Sequence, residues 1–439
     1  MITQKQKELT QWALEYALKN GVDEAKIALF EGVNSSYSLR DGKLESLEQA
    51  SEIALGIQLY VKGRFGSFST NSLNPNELKK FIREGKEATL YLAKDLARKL
   101  PDASRYYQGG RPSLDLYDSS FEGVSPDTKI AIAQNIAQEV LGKDDRILSV
   151  ASSYSDGESA SYLLTSNGFE GDMARSWYTV SSGVSMKGKG DSRPSDFWYD
   201  SSLHFIDLAP KGVGKMAYER VARKLNPMKI KSGRYQMVVD ALTAPRLLAP
   251  LLSATYGSAI QQQNSFLLNR LHEQVASDLF TLYDHPHMSR ASGARYFDGE
   301  GVATVDREIF SKGVLNTFFI NTYIGHKLSI APTISGPSLL EMSLGDSDLD
   351  QLVVSTHEGV LVTGLNGGNT NSTTGDFSFG VEGFLIERGE LTHPISEMNI
   401  TGNLIELWSS LIAVGNDPVL SSSRRIPSLV FEGVNFSGL

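Results

Sequence analysis

The 439-residue chain contains no cysteine. That absence excludes disulfides, thiolate-ligated zinc, iron–sulfur clusters and a cysteine nucleophile together. No uninterrupted apolar run approaches the roughly 18 residues that a membrane-spanning helix needs. Positive charge is in deficit, with 42 Lys and Arg against 51 Asp and Glu and a formal net charge of −9, so a general attraction to nucleic acid is not expected. The opening MITQKQKELTQWALEYALKNG lacks a basic stretch followed by a continuous apolar run, and it lacks a small-residue cleavage site. It is therefore not read as a signal peptide. The expectation from these absences is a cytoplasmic protein with no membrane and no nucleic-acid partner.

What is present is enough chain to bury a large core in two or more packed lobes. Leu9, Trp12, Ala13, Tyr16 and Ala17 recur with helical period, and Asn20-Gly21 follows as a stop. Ile53, Leu55, Ile57, Leu59 and Val61 alternate strictly, and Asp41-Gly42 and Lys62-Gly63 sit where hairpin turns belong, so residues 24–70 read as a β-meander. The spacing of Leu78, Phe81, Ile82, Leu92 and Leu96 predicts a helix closed by Pro101. Residues 102–124 read as a surface connection. Ser125-Pro126-Asp127 then opens another helix, with Ile130, Ala133, Ile136 and Val140 on one face. Short β-runs at 147–154, 160–165 and 175–185 follow, separated by Asp156-Gly157, Asn167-Gly168 and Lys187-Gly188, and a helical pattern returns around Val213, Met216, Ala217 and Val221. Helix, meander, helix thus occurs twice, which points to an internal duplication.

From residue 229 the texture changes to a strand at Tyr235–Val239, an apolar helix over 242–258, and many short β-runs rich in Gly and Asn. Asn366-Gly367-Gly368-Asn369 and Arg388-Gly389 suit bulges and hairpins better than βαβ crossovers. The expected fold is α+β: an N-terminal helix–β-meander–helix domain, duplicated, over 1–225, and a β-rich, antiparallel and barrel-like domain over 226–439.

Motifs with chemistry are few. His357-Glu358 begins like a zinc-binding His-Glu-x-x-His, but the sequence continues Gly-Val-Leu, and Val360 and Val362 alternate as in a strand. Asp284-His285-Pro286-His287 is the densest cluster of potential ligands. A His-x-His on an extended segment can hold one metal through both imidazoles, while the plainer reading is a polar loop turned by Pro286. The serine runs lack the strand–turn–helix context of a nucleophile elbow, and the glycine-rich stretch at 364–368 lacks the Lys-Ser/Thr of a phosphate loop. Phe197, Trp198 and Tyr199 follow the basic Lys187, Lys189 and Arg193 and read as aromatics beside a solvated hairpin tip rather than a polyanion site.

Several blocks resemble a known family. Gly21-Val22-Asp23-Glu24-Ala25, Arg40-Asp41-Gly42-Lys43-Leu44-Glu45 and Phe297-Asp298-Gly299-Glu300-Gly301 are similar to its opening and middle blocks. Thr374-Gly375-Asp376-Phe377-Ser378, Gly383-Phe384, Gly389-Glu390 and Asn399-Ile400-Thr401-Gly402-Asn403-Leu404 resemble its C-terminal hallmark in order and spacing. The family is TldD/PmbA, the "modulator of DNA gyrase" family. Its active subunit resembles a zinc peptidase with His-Glu-x-x-x-His on a helix and a cysteine ligand near the C-terminus.

This chain departs at both places: the matching helix places Leu248, Ala249 and Ser253 at the ligand and glutamate positions, and no cysteine exists. The resemblance therefore implies the PmbA (TldE) type of subunit, with no catalytic, cofactor or metal residue of its own. Zinc is expected only in a TldD-type partner, which would form a heterodimer with this chain unless the chain forms a homodimer. The implied substrate is an unfolded or modified peptide, added as a strand to a sheet edge. Asn366, Asn369, Asn371 and Asp376 are the candidate peptide-binding residues, their other role being turn formation. Two readings stay open beside it: a metal-dependent hydrolase using His285, His287 and distant carboxylates, and a homodimeric peptide-binding protein without catalysis.

Overall fold

The structure, a computed structural model, describes residues 1–438. Helix α1 (Gln4–Lys19) opens with a capping box between Thr3 and Gln6 and buries Ala13 and Ala17. Strands β1 (Glu24–Arg40), β2 (Lys43–Val61) and β3 (Arg64–Thr70) form the first meander, and α2 (Pro75–Leu90) returns across it. The β1–β2 turn is Asp41-Gly42, whose φ values of 52° and 77° lie in the left-handed region that this short dipeptide tolerates. The second unit repeats the order: α3 (Pro126–Gln138), β4 (Ile147–Thr165), β5 (Glu170–Met186), β6 (Ser195–Ser202) and α4 (Val213–Arg223).

The two meanders join into one antiparallel sheet of order β3-β2-β1-β4-β5-β6. They meet at β1–β4, in register from Lys26↔Thr165 to Arg40↔Ala151, so each half reads outward first, second, third strand. The duplicated element order is thereby built into the sheet. Because side chains alternate, Ile27, Leu29, Tyr37 and Leu39 of β1 share one face. The first pair packs with α1, α2, Tyr162 and Leu164, and the second with α3, Tyr154 and Tyr178.

Two local expectations fail for tertiary reasons. Helix α2 stops at Leu90 instead of running to Pro101. Leu96 stays exposed, and the chain instead lies extended beside the β2–β3 turn, with Lys94 bridged to Arg64 and the Asp95 N–H donating to Gly63 O at 2.9 Å. Asp156-Gly157 is no turn but the middle of an unbroken β4. Asp156 points to the helix face and meets Lys129 at 2.6 Å, while Gly157 pairs with Trp177, whose indole covers it. A Cβ at 157 would collide with that ring. Gly157→Ala is accordingly expected to cost about 1–3 kcal/mol through overpacking, read as a lower urea midpoint; an unchanged midpoint would show that Trp177 swings aside freely.

In the C-terminal half, β7 (Gly233–Val239) leads to α5 (Ala244–Ser253) and the short α6 (Gly257–Gln261). The single helix expected over 242–258 is broken, because residues 255–257 pair with Phe319: its N–H donates to Thr255 O at 2.9 Å and its carbonyl accepts from the Gly257 N–H at 2.8 Å. Strands β8 (Leu282–Asp284), β9 (Arg307–Ser311), β10 (Val314–Leu315) and β11 (Leu340–Met342) follow, with α7 (Thr322–Leu328) between β10 and β11. Next come α8 (Leu349–Ser355), β12 (Glu358–Thr370), β13 (Asp376–Glu387) and β14 (Glu390–Asn403). The chain finishes with α9 (Leu404–Ser409), β15 (Leu411–Val414), β16 (Arg424–Arg425) and β17 (Leu429–Ser437).

Strands β14-β13-β12-β7-β17 neighbour one another in that order, and β14 pairs β17, so these strands close into a five-stranded barrel. The barrel is antiparallel except for β7 and β12, which run parallel from Gln236↔Gly359 to Val239↔Val362. The long excursion over 240–357 is what permits that crossover; short hairpin connections alone would have predicted a wholly antiparallel barrel. A second sheet, β10-β9-β8-β11-β16, lies alongside. The largest core of the molecule, with Trp408, Phe280, Phe310, Phe431 and Phe436, joins the barrel to this sheet and to α5. Among the described residues no helix is long and apolar enough to cross a membrane.

Candidate functional site

Helix α5 has two faces set by its period of 3.6 residues. Leu247, Leu248, Leu251 and Leu252 are buried in the core. Arg246, Ala249, Pro250 and Ser253 face away and form one wall of a cavity of about 500 Å³. Ser258, Ala259, Gln262, Asn264 and Phe266 continue that wall, and Thr370 and Ser372 line it from the β12–β13 hairpin. Pro250 has no N–H, so the usual bond to the Arg246 carbonyl four residues back is missing from this turn of the helix.

The hairpin tip is held by side chains. Asn371 Oδ1 accepts the N–H of Thr373 at 3.0 Å and of Thr374 at 3.3 Å, an Asx-type turn. Asp376 accepts from the Thr374 hydroxyl at 2.7 Å and from Asn403 Nδ2 at 3.0 Å, and those bonds hold its carboxyl below the usual carboxylate range. The hydroxyls of Ser372 and Thr373 both donate to Asn264 Oδ1, at 2.6 and 2.9 Å, tying the tip to the far wall. Asn366 and Asn369 are exposed on the bulged stretch of β12, where Asn366 Nδ2 donates to Glu382 at 3.3 Å. The four candidates named from sequence therefore share one hairpin: Asn371 and Asp376 build its turn, and Asn366 and Asn369 mark its bulge.

The same hairpin supplies an open sheet edge. The ladder of β12 with β7 ends at Val362↔Val239, whereas its ladder with β13 continues to Thr370. Among the described residues, 363–370 thus have a strand on one side only, and the guanidinium of Arg246 donates to the Leu365 carbonyl. Sequence reasoning missed Arg246, Gln262, Asn264, Thr370 and Ser372. A signal for the first existed, since Arg246 and Ser253 are the polar positions, two turns apart on one face, of an otherwise apolar helix.

The positions nominated for zinc ligands divide. Leu248 lies in the core, fully buried, and does not face the cavity; Ala249 and Ser253 do. The same one-and-five spacing begun one residue later gives Ala249, Pro250 and Ala254, all of which line the cavity. In either register the side chains offer no imidazole, carboxylate or thiolate, so the wall does not fit a zinc ion. Among the described residues no group of three or more His, Cys, Asp or Glu is arranged to hold a metal.

The Asp284–His287 segment runs from the last residue of β8 into a polar loop, and its side chains are committed. Asp284 is buried and accepts the N–H groups of Ser338 at 2.9 Å and Leu339 at 3.0 Å. Burial moves its carboxyl upward despite those bonds. His285 stacks on Tyr283 and lies 3.4 Å from Asp306. His287 meets the Thr304 hydroxyl at 2.9 Å and the guanidinium of Arg111; burial and that cation push its imidazole downward. A guanidinium seated on His287 opposes a second cation there. His357 lies in the bend that precedes β12 and Glu358 is the first residue of that strand, so the pair is not on a helix.

Comparison with known proteins agrees with this architecture. Three family models match in sequence along the chain: PmbA/TldA metallopeptidase domain 1 over residues 25–89, the central domain over 119–225, and the C-terminal domain over 232–438. Metalloprotease PmbA of Escherichia coli O157:H7 is 28% identical, covering 98% of this chain and 96% of the relative. The Metalloprotease PmbA homolog of Haemophilus influenzae is also 28% identical, over 99% and 96%. A crystal structure from Bacteroides thetaiotaomicron, assigned as a modulator of DNA gyrase, is 58% identical over the whole of both chains and superposes with a TM-score of 0.98. The chain belongs to the PmbA/TldD family of metallopeptidase-like proteins.

Proposed function

We propose that this chain is the subunit of a TldD/PmbA-type peptidase assembly that holds the peptide, while a TldD-type partner holds the zinc. One observation carries the reading. The cavity wall at the family's expected ligand helix includes Ala249, Pro250, Ser253 and Ala254, none able to bind zinc, yet the cavity reaches Thr370, at the far end of the open strand edge 363–370. An extended chain gains main-chain hydrogen bonds by adding to such an edge and specificity from the alternate side chains that face the pocket. In the assembly the partner's zinc would polarise the scissile carbonyl and activate water. This chain's part is to align an unfolded or modified peptide along β12 and shield it from solvent, with Asn366 and Asn369 flanking the bound strand and Asn371 and Asp376 fixing the hairpin that forms the wall. The reading places residues 1–225 and 226–439 in separate domains of a cytoplasmic heterodimer.

The test is metal content by mass spectrometry on protein purified without added metal, beside a peptidase assay with and without a TldD-type subunit. The expected result is no stoichiometric zinc, no cleavage by the isolated chain, and cleavage after mixing. Near-stoichiometric zinc with cleavage by the chain alone would overturn the assignment, and peptide binding without cleavage in the mixture would favour a homodimeric binding protein.

A further inference from the structure

We propose that the groove selects its peptide by a carboxylate, which docks on Arg246; this deepens, and rests on, the reading of the groove as a peptide site. Arg246 stands on the first turn of α5 and lines the cavity. Of its five guanidinium and Nε donors, one is given to the Leu365 carbonyl. Among the described residues no carboxylate lies within ion-pair distance of it. Most other cavity-lining cations have carboxylate partners: Arg290 reaches Asp115 and Asp207, Arg425 reaches Glu341, and Lys224 reaches Asp196 and Glu382, while Arg223 lies over the Phe384 ring instead. The other side chains that line the groove are neutral, and among the described residues no Asp or Glu lines it. A cation without a counter-ion, restrained by a main-chain bond and aimed into a cavity, is prepared for a planar anion with two oxygens, the partner that a guanidinium fork fits best.

The place of Arg246 also sets a direction. Its bond to Leu365 puts it at the end of the open β12 edge nearest β7, where residues 366–370 begin. A strand laid antiparallel to β12 along those residues brings its C-terminal end to Arg246. A parallel strand brings its N-terminal ammonium there, against like charge. Five residues of strand span about 16 Å, and the bulge at Gly367-Gly368 shortens the path from Leu365 to Thr370, so a pentapeptide is long enough to cover it. A carboxylate can come from the C-terminus or from an acidic side chain, and the two sources are separable.

The experiment is fluorescence anisotropy with N-terminally fluorescein-labelled Ala-Val-Ala-Val-Ala in three forms: free acid, C-terminal amide, and the amide with Glu at the centre. The free acid is expected to bind about tenfold more tightly than the amide, as a charge-assisted, two-pronged contact does. Arg246→Gln should bring the free acid down to the affinity of the amide, and Arg246→Lys, which keeps charge without the fork, should fall between. Recovery of affinity by the central Glu assigns the anchor to side-chain carboxylates as well; no recovery restricts it to the C-terminus. Equal binding of acid and amide to the unmodified protein overturns the anchor. Ser253→Trp tests the groove separately: it should weaken every form, and if all three bind it undiminished, or if none binds the unmodified protein, the groove reading falls and the anchor with it.

Discussion

Lys129→Met is expected to remove about 3–5 kcal/mol of folding stability, because it leaves a carboxylate buried without its cation. Lys129 reaches from α3 to the seam between the two meanders, where its ammonium lies 2.6 Å from Asp156; the side chains are 11% and 1% exposed. The Ser35 hydroxyl and the Tyr154 hydroxyl donate to the same carboxylate, and the rings of Tyr37, Phe121 and Tyr154 surround the ammonium at 5.7–5.9 Å. Methionine fills the stem's volume, so the loss reports charge rather than packing. Urea unfolding followed by circular dichroism measures it. Adding Asp156→Asn to the same protein should restore most of the stability, since it removes the stranded charge. A loss below about 1 kcal/mol for the single variant would mean that water reaches the pair and that it behaves as a surface ion pair.

Trp408 makes the second large prediction, and it is a contrast. The indole is fully buried in α9, 4.6 Å from the ring of Phe280 and 5.6 Å from that of Phe431. Trp408→Ala should cost about 3–5 kcal/mol in lost contact and residual cavity. Trp408→Phe should cost only about 1 kcal/mol. Among the described residues the indole N–H has no hydrogen-bond partner, and burying an unsatisfied donor is itself unfavourable; phenylalanine gives up part of the ring but also that penalty. Thermal unfolding of the two variants decides. If phenylalanine proves as damaging as alanine, the N–H holds a partner that stabilises it.

Local chemistry made most elements of the N-terminal half readable. Ser125-Pro126 opens α3 with the Ser125 hydroxyl accepting the Thr128 N–H, and the alternation of Ile53 through Val61 is the buried face of β2. The errors arose where distant residues overruled a local preference. Asp-Gly is a turn dipeptide by composition, but Lys129 and Trp177 make Asp156-Gly157 a strand interior. Barrel closure was suggested by texture alone, because the pairs that create it, such as Gly233↔Phe436, join opposite ends of the half-chain and leave no mark on periodicity. The groove was half legible. The asparagine-rich hairpin and the ligand-free helix could be named, but not that they face each other, and Leu248 shows how a one-residue choice of register turns a cavity position into a core position.

The barrel joins β7, its first strand, to β17, its last, with Gly233 beside Phe436. On a ribosome that geometry imposes an order of assembly. The six-stranded sheet has all its strands once Ser202 has emerged, and its last helix by Arg223, so it can complete itself while the rest is still being made. At roughly 5–20 residues per second, β7 then waits on the order of 10–40 seconds for its neighbour. Throughout that interval one flank of β7 is unpaired, and the nascent chain is at its most exposed to chaperones and to mispairing.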